Sequence, residues 1–129
     1  MKNHDDKKEV EEEDIVEKFL SLQVTNLEEH VKELDEKIEE RLDLSNRVLN
    51  GLGNEALTFQ KNIRRLRYNV FQDKVQNLIS NFEVELAKIE NQKNKEWLEC
   101  FRDVSILKEK HQEMKKELNK ERLKLKLLE

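Results

Sequence analysis

The residues able to do covalent or acid–base chemistry are few and widely separated along this 129-residue chain. One cysteine, Cys100, accompanies three histidines at positions 4, 30 and 111, and none has neighbours at the spacing of a tetrahedral metal site. The CxxC and HExxH patterns, the phosphate-binding glycine loop and the Gly-x-Ser-x-Gly turn do not occur in the sequence. The many carboxylates would lie on solvated helices without a desolvated cleft. The sequence therefore predicts no enzyme, no cofactor, no metal site and no small-molecule substrate.

The elements that would carry these residues are long helices. Charged residues make up 42% of the chain and hydrophobic residues 36%, with no proline and two glycines. Good helix formers dominate from Asp14 onward. The apolar residues are too few to build a thick core but are enough to form a narrow stripe along a helix. The composition predicts an all-α, elongated, segmented coiled coil built from one or two long helices.

A heptad seam, meaning the stripe of apolar a and d positions of a coiled coil, is visible from Leu20 onward. Its first six members, from Leu20 to Ile38, are spaced 4-3-4-3-4, which keeps them on one side of a helix. The stripe must be covered by another helix, from this chain or from a second copy. We expect the oligomerisation seam to comprise Leu20, Val24, Leu27, Val31, Leu34, Ile38, Leu49, Leu52, Phe59, Ile63, Leu66, Val75, Leu78, Phe82, Leu86, Ile89, Trp97, Val104, Leu107, Met114, Leu118 and Leu125.

Irregularities in the seam divide the chain. We expect a disordered acidic tail over 1–13, an acidic coiled-coil helix over 14–49, a hinge at 50–54 and a long coiled-coil helix over 55–129. The hinge contains Gly51 and Gly53, which favour either a kink or a helical hairpin. Smaller defects are a stutter at Leu42, a phase shift between Val70 and Phe71, and a gap at Lys93. Mixed a and d residues leave the number and orientation of the helices open.

Charge is unevenly distributed along the chain. Residues 1–50 contain 8 Lys and Arg against 16 Asp and Glu, whereas residues 51–129 contain 17 against 13. This polarity could reflect staggered or antiparallel pairing, or contact between the basic half and a polyanion, but solvation of the outer faces of the helices is the simpler explanation. No secretory signal or membrane-spanning stretch is recognisable, so the sequence predicts an intracellular protein.

One compact basic cluster stands out, formed by Arg64, Arg65 and Arg67 beside Tyr68. Because Ile63 and Leu66 belong to the seam, these arginines project from the sides of the helix. There they can contact the phosphates of DNA or pair with the acidic half of a neighbouring chain.

Three sequence blocks resemble the family of meiotic chromosome-axis coiled-coil proteins, which includes the synaptonemal-complex lateral-element protein and the X-linked lymphocyte-regulated proteins. The blocks are the Leu-Asn-Gly-Leu-Gly run at 49–53, the basic run at 64–68, and 82–95 with Phe101 and Arg102 after it. The resemblance implies helices that bundle into filaments, DNA contact at Arg64, Arg65 and Arg67, and a nuclear location in preference to the cytoplasm. The chain departs from the family in a shorter stretch before Phe82 and in lacking the family's C-terminal extension.

Two functions fit these features. The first is a non-enzymatic coiled-coil scaffold that self-associates through the seam, as a meiotic chromosome-axis component contacting DNA. The alternative is an adaptor subunit of a kinetochore, spindle, tethering or ciliary complex, whose seam is completed by other coiled-coil chains. The partners expected are therefore further copies of this chain, other coiled-coil chains, or DNA.

Overall fold

The protein is all-α, with two long helices. The computed structural model describes residues 2–69 and 73–129, and the side chains of 11–68 and 73–129. Helix α1 spans Lys2–Leu66, a short 3-10 helix follows at Arg67–Asn69, and helix α2 spans Asp73–Leu128. The predicted fold class is confirmed. None of the described helices contains an apolar stretch long enough to cross a membrane.

Both helices follow from local sequence chemistry. Straight-chain helix formers dominate them, and proline is absent from the sequence. The hydroxyl groups of Thr25 and Thr58 each donate a hydrogen bond to the carbonyl oxygen four residues earlier, so these β-branched residues are accommodated inside α1. Arg64 and Arg65 lie in the last turn of α1 and Asp73 in the first turn of α2, where each charge is favourable to the helix dipole.

The helix boundaries differ from those that the sequence predicts. Helix α1 begins at Lys2, inside the segment 1–13 for which a disordered tail is predicted, because its Glu and Lys residues are good helix formers. It also continues through Gly51 and Gly53, neither of which has a positive φ. The hairpin therefore lies after Leu66 and not at the glycines, and the predicted long helix over 55–129 is divided by it. Two glycines inside a helix cost only about 2 kcal/mol, which seam packing offsets.

The chain forms two compact units, and unit 2 comprises Glu40–Val104. Within it, the end of α1 packs antiparallel against the beginning of α2. Phe59 lies against Phe82 with ring centroids 5.6 Å apart and ring planes at 46°, a favourable tilted arrangement. The buried apolar side chains of unit 2 are Ile63, Val75, Ile89, Cys100 and Val104.

Each helix of unit 2 contains a stutter in its covered stripe. On α1 the stripe passes through Arg41, Ser45, Leu49 and Leu52, with spacings of 4, 4 and 3. On α2 it ends with Lys93, Glu96, Cys100 and Val104, with spacings of 3, 4 and 4. Two consecutive steps of four locally unwind a left-handed supercoil.

Unit 1 comprises residues 1–39 of α1 and Ser105–Glu129, which continue α2. Leu20, Val24 and Leu118 are buried in it, and the intervening seam residues are half-buried. Arg122 of α2 reaches Glu28 of α1, and His111 lies beside Asp35, so the two segments pack antiparallel. In both units, therefore, the seam of α1 is covered by α2 of the same chain.

Most predicted seam residues are buried or half-buried, but two are exposed and need correction. Trp97 is 66% exposed because Glu96 occupies the stripe position between Lys93 and Cys100. Leu78 is also exposed, and Ile79 takes its place because a step of four from Val75 keeps the regular alternation with Phe82.

The smaller predicted irregularities also differ from the structure. The stutter expected at Leu42 lies at Ser45, since Leu42 is exposed and Arg41 is on the stripe. Lys93 is half-buried on the stripe, where a gap is predicted. The predicted phase shift at Val70 and Phe71 falls outside the described residues.

Candidate functional site

A charged layer crosses the seam of unit 2. The Arg41 Nη1 donates a hydrogen bond to Glu96 Oε1 at 2.8 Å, and Arg41 Nε donates to Asp103 Oδ2 at 2.9 Å. The side chains of Arg41 and Glu96 are 16% and 15% exposed, whereas Asp103 is half-exposed. One guanidinium therefore holds two carboxylates that lie two turns apart on the opposite helix.

Hydrogen bonding stabilises the charged form of this arginine. The bonds to Asp103 and then to Glu96 raise the pKa of Arg41, and the smaller effect of desolvation opposes them. The guanidinium thus remains charged at every pH at which the protein is folded. Ser45 follows Arg41 on the stripe of α1, and Cys100 follows Glu96 on the stripe of α2. Both residues are buried at a stutter and have small side chains, where other stripe positions carry large apolar ones.

The layer is suited to fixing the alignment of the two helices. A polar group at a seam position is favourable in one register and costly in others, because a shift leaves it desolvated without its partner. Arg41 makes both of its bonds only when α1 and α2 are aligned as observed. Each of the three charges in the layer has a partner, so we expect the layer to favour the observed alignment of the two helices.

Unit 1 holds its two helix segments with more exposed charges. The Arg122 Nη2 donates to Glu28 Oε1 at 2.9 Å, and both side chains are about half exposed, at 51% and 48%. His111 is mostly buried, and its Nε2 lies 2.9 Å from Asp35 Oδ1 without forming a hydrogen bond. His111 thus lies on the covered stripe of α2.

The predicted basic cluster lies at the end of α1 in unit 2. Arg64 and Arg65 are in the last turn, Arg67 begins the 3-10 helix, and all three are exposed beside Tyr68. Within residues 2–69 and 73–129, the structure assigns these arginines no ion pair. Their guanidinium groups are therefore directed to solvent and available to an anion.

Large apolar side chains remain uncovered in both units. In unit 2, one exposed surface on adjacent turns of α2 consists of Trp97, Leu98 and Phe101. In unit 1, exposed apolar residues occur on both helices, namely Ile15, Phe19 and Leu22 on α1 and Leu123 and Leu127 on α2. Contiguous apolar surface of this kind marks interaction sites in proteins.

No group of three His, Cys, Asp or Glu side chains that could hold a metal converges in the described part of the chain. Comparisons with protein-family models, with curated proteins and with solved structures find no match. The fold is a coiled-coil helical hairpin. Because no match is found, the function must be inferred from the residues of this chain.

Sequence reasoning did not find the charged layer. A seam read from apolar residues alone passes over Arg41 in favour of Leu42 and over Glu96 in favour of Trp97. The available signal was that Arg41 continues the 4-3 alternation from Ile38, just as Glu96 continues it from Lys93.

Proposed function

We propose that this protein is a non-enzymatic coiled-coil scaffold that associates with further copies of itself. The observation that carries the proposal is the exposed apolar surface that remains after α1 and α2 have covered each other's seams. A monomer whose seam is already paired has no structural need for rows of isoleucine, phenylalanine and leucine on the outer surfaces of its helices. In the proposed scaffold the seam builds the subunit, and the outer faces join the subunits.

The thinness of the core supports the same proposal. Within the described residues, no side chain is less than 2% exposed. A pair of helices covers only one stripe of each, so packing against further helices is the ordinary way for such a structure to bury more apolar surface. The resemblance to chromosome-axis proteins leads us to propose chromosomes in the nucleus as the setting.

The test is the mass and helicity of the purified chain. Light scattering should give a mass above that of one 15.6 kDa chain at micromolar concentration, and circular dichroism should report a largely helical protein. A helical monomer at all accessible concentrations would contradict self-association. It would favour the adaptor hypothesis, in which other coiled-coil chains cover the outer faces, and adding such a partner would then raise the mass.

DNA contact is a second candidate function, favoured by three exposed arginines at the end of α1 that make no ion pair with the described residues. Bound phosphates would release counterions, so affinity for duplex DNA should fall steeply as salt increases. Replacing Arg64, Arg65 and Arg67 by Gln should abolish most binding and flatten the salt dependence. A matched control replaces Lys108, Lys110 and Lys115 by Gln. Equal binding by both triple variants would show that the arginine cluster is not a DNA site.

A further inference from the structure

Two exposed faces of unit 1 have complementary chemistry. The outer face of α1 consists of Ile15, Phe19 and Leu22, spaced 4 and 3, which places them on one stripe away from the buried Leu20 and Val24. Their exposed fractions are 67%, 62% and 66%. The outer face of α2 consists of Leu123 and Leu127, one turn apart and 60% and 80% exposed. Each face lacks a covering helix among the described residues.

The charges beside the two faces have opposite signs. Continuing the stripe of the α1 face in both directions reaches Glu11, Glu29 and Glu33, all exposed, although Lys18 also lies beside it. Continuing the stripe of the α2 face toward its N-terminal side first reaches the exposed Lys116 and Lys120 and, further from the face, the exposed Glu113 and Glu109. Over whole segments, residues 1–39 contain 6 Lys and Arg against 14 Asp and Glu, whereas residues 105–129 contain 8 against 5.

We propose that the outer face of α1 in one copy of unit 1 binds the outer face of α2 in the next copy. Pairing a face with its own copy would oppose like charges, which disfavours a symmetric contact. Pairing the α1 face with the α2 face buries apolar side chains from both sides and sets Glu residues against Lys residues. The occupant of each face is thus the other face of a second chain. This contact deepens the proposed scaffold function and rests on it.

The geometry of such a contact determines how assembly proceeds. Because the two surfaces differ, every added copy leaves one free α1 face and one free α2 face. Assembly therefore continues head to tail beyond the dimer, and its extent increases with protein concentration. Part of the attraction comes from exposed charges, so raising the salt concentration should shorten the assemblies.

Two variants that each lose one face provide the decisive experiment. Variant A carries Ile15→Ser and Phe19→Ser, and variant B carries Leu123→Ser and Leu127→Ser, all at exposed positions. In sedimentation velocity, the parent chain should form species larger than a dimer, whereas A alone and B alone should be monomeric. An equimolar mixture of A and B should form a 1:1 dimer and nothing larger, because each variant retains one complementary face.

A control variant removes similar apolar surface elsewhere in unit 2, with Leu44→Ser and Leu57→Ser at positions that are 54% and 52% exposed. This control should assemble like the parent. A second pair tests the charges without touching apolar residues: Lys116→Glu with Lys120→Glu should weaken assembly at least tenfold. Mixing that variant with one carrying Glu29→Lys and Glu33→Lys should restore association. Circular dichroism should show parental helicity in every variant.

Several results would overturn the inference. If A or B alone assembles like the parent, or if their mixture stays monomeric, the two faces are not each other's partners. If the parent assembles and the unit 2 control abolishes assembly while A and B do not, the scaffold function survives and this contact is wrong. If the parent itself is monomeric, both the scaffold function and this contact fail.

Discussion

The two units use the same arginine–carboxylate chemistry in different surroundings. In unit 2 the Arg41–Glu96 pair is at 2.8 Å, with both side chains about five-sixths buried. In unit 1 the Arg122–Glu28 pair is at 2.9 Å, with both side chains about half exposed. Distance alone would rank them equally. Burial separates them, because a desolvated ion interacts strongly with its partner and is costly without it, whereas a solvated ion has water as an alternative.

The difference in burial also determines how much each ion pair contributes to the alignment of the helices in its unit. In unit 2 the pair belongs to a covered layer and opposes any change in helix alignment. In unit 1 the pair lies at the rim, and the alignment depends mainly on apolar packing at Leu20, Val24 and Leu118. We expect that replacing one partner of the ion pair lowers the free energy of unfolding strongly in unit 2 and weakly in unit 1.

The largest expected loss of stability comes from truncating a buried apolar residue, and it is the reference for the effects of the charged residues. Ile89 is 5% exposed, so Ile89→Ala should lower the free energy of unfolding by about 3 kcal/mol through lost transfer energy and a residual cavity. Denaturant unfolding followed by circular dichroism measures it. The matched control is Leu98→Ala on the exposed surface of the same unit, which should change stability by less than about 0.5 kcal/mol. Similar losses for both variants would mean that the assigned stripe is incorrect.

Arg41→Met should have the next largest effect, lowering stability by about 2 kcal/mol because Glu96 is left desolvated and unpaired. A double variant, Arg41→Leu with Glu96→Leu, removes both charges and should return stability to within about 1 kcal/mol of the parent. Unfolding of the parent, Arg41→Leu, Glu96→Leu and the double variant gives the coupling energy. A coupling energy near zero would show that the buried pair of unit 2 contributes no more to stability than the solvated pair of unit 1.

The glycines offer a smaller change confined to unit 2. A Cβ added at Gly51 or Gly53 meets nothing within 4 Å, and both residues lie inside α1 without positive φ. Gly51→Ala should therefore raise stability by about 0.7 kcal/mol, and Gly53→Ala by a similar amount, because helix propensity improves. Amide hydrogen exchange should show the added protection in residues around 51–53. Destabilisation by either alanine would indicate that the glycines are needed for a kink.

Arg122→Met should have the smallest effect, below about 0.5 kcal/mol, because its partner Glu28 is solvated. In 1 M salt the remaining contribution should disappear, whereas the Arg41–Glu96 coupling should persist, since screening acts weakly on buried pairs. The measurement is the same unfolding experiment at 0.1 M and 1 M salt. Loss of both couplings in high salt would show that Arg41 is as solvated as Arg122.

Much of the fold could be predicted from sequence, because heptad spacing and the absence of proline act locally. The regular seam from Leu20 to Ile38 lies on the covered side of α1. The turn was harder to locate. Glycine is the usual signal for a break, yet Gly51 and Gly53 are helical and the reversal follows a segment without glycine or proline.

The charged layer was less predictable, since its stability depends on a partner across the hairpin. Arg41 and Glu96 are separated by 55 residues. The 4-3 alternation places each of them on its stripe, but nothing local to either indicates that a charged partner lies opposite. The prediction for Trp97 was wrong for the complementary reason: a large aromatic residue is assigned to a core by its type, whereas the position of Trp97 on the helix leaves it exposed. The outer faces of unit 1 could have been recognised as second stripes, from the 4 and 3 spacing of Ile15, Phe19 and Leu22.

The position of the turn has a consequence for the order in which the chain can fold during synthesis. The Arg41–Glu96 contact closes a loop of 55 residues and the Arg122–Glu28 contact one of 94, an entropic difference of only about 0.5 kcal/mol. On the ribosome, however, unit 2 is complete once Val104 has emerged, while residues 1–39 must wait for 105–129. During that interval Leu20 and Val24 have no intramolecular cover, so a neighbouring nascent chain can reach them first. Synthesis on crowded polysomes therefore provides an opportunity for copies of this protein to exchange helices.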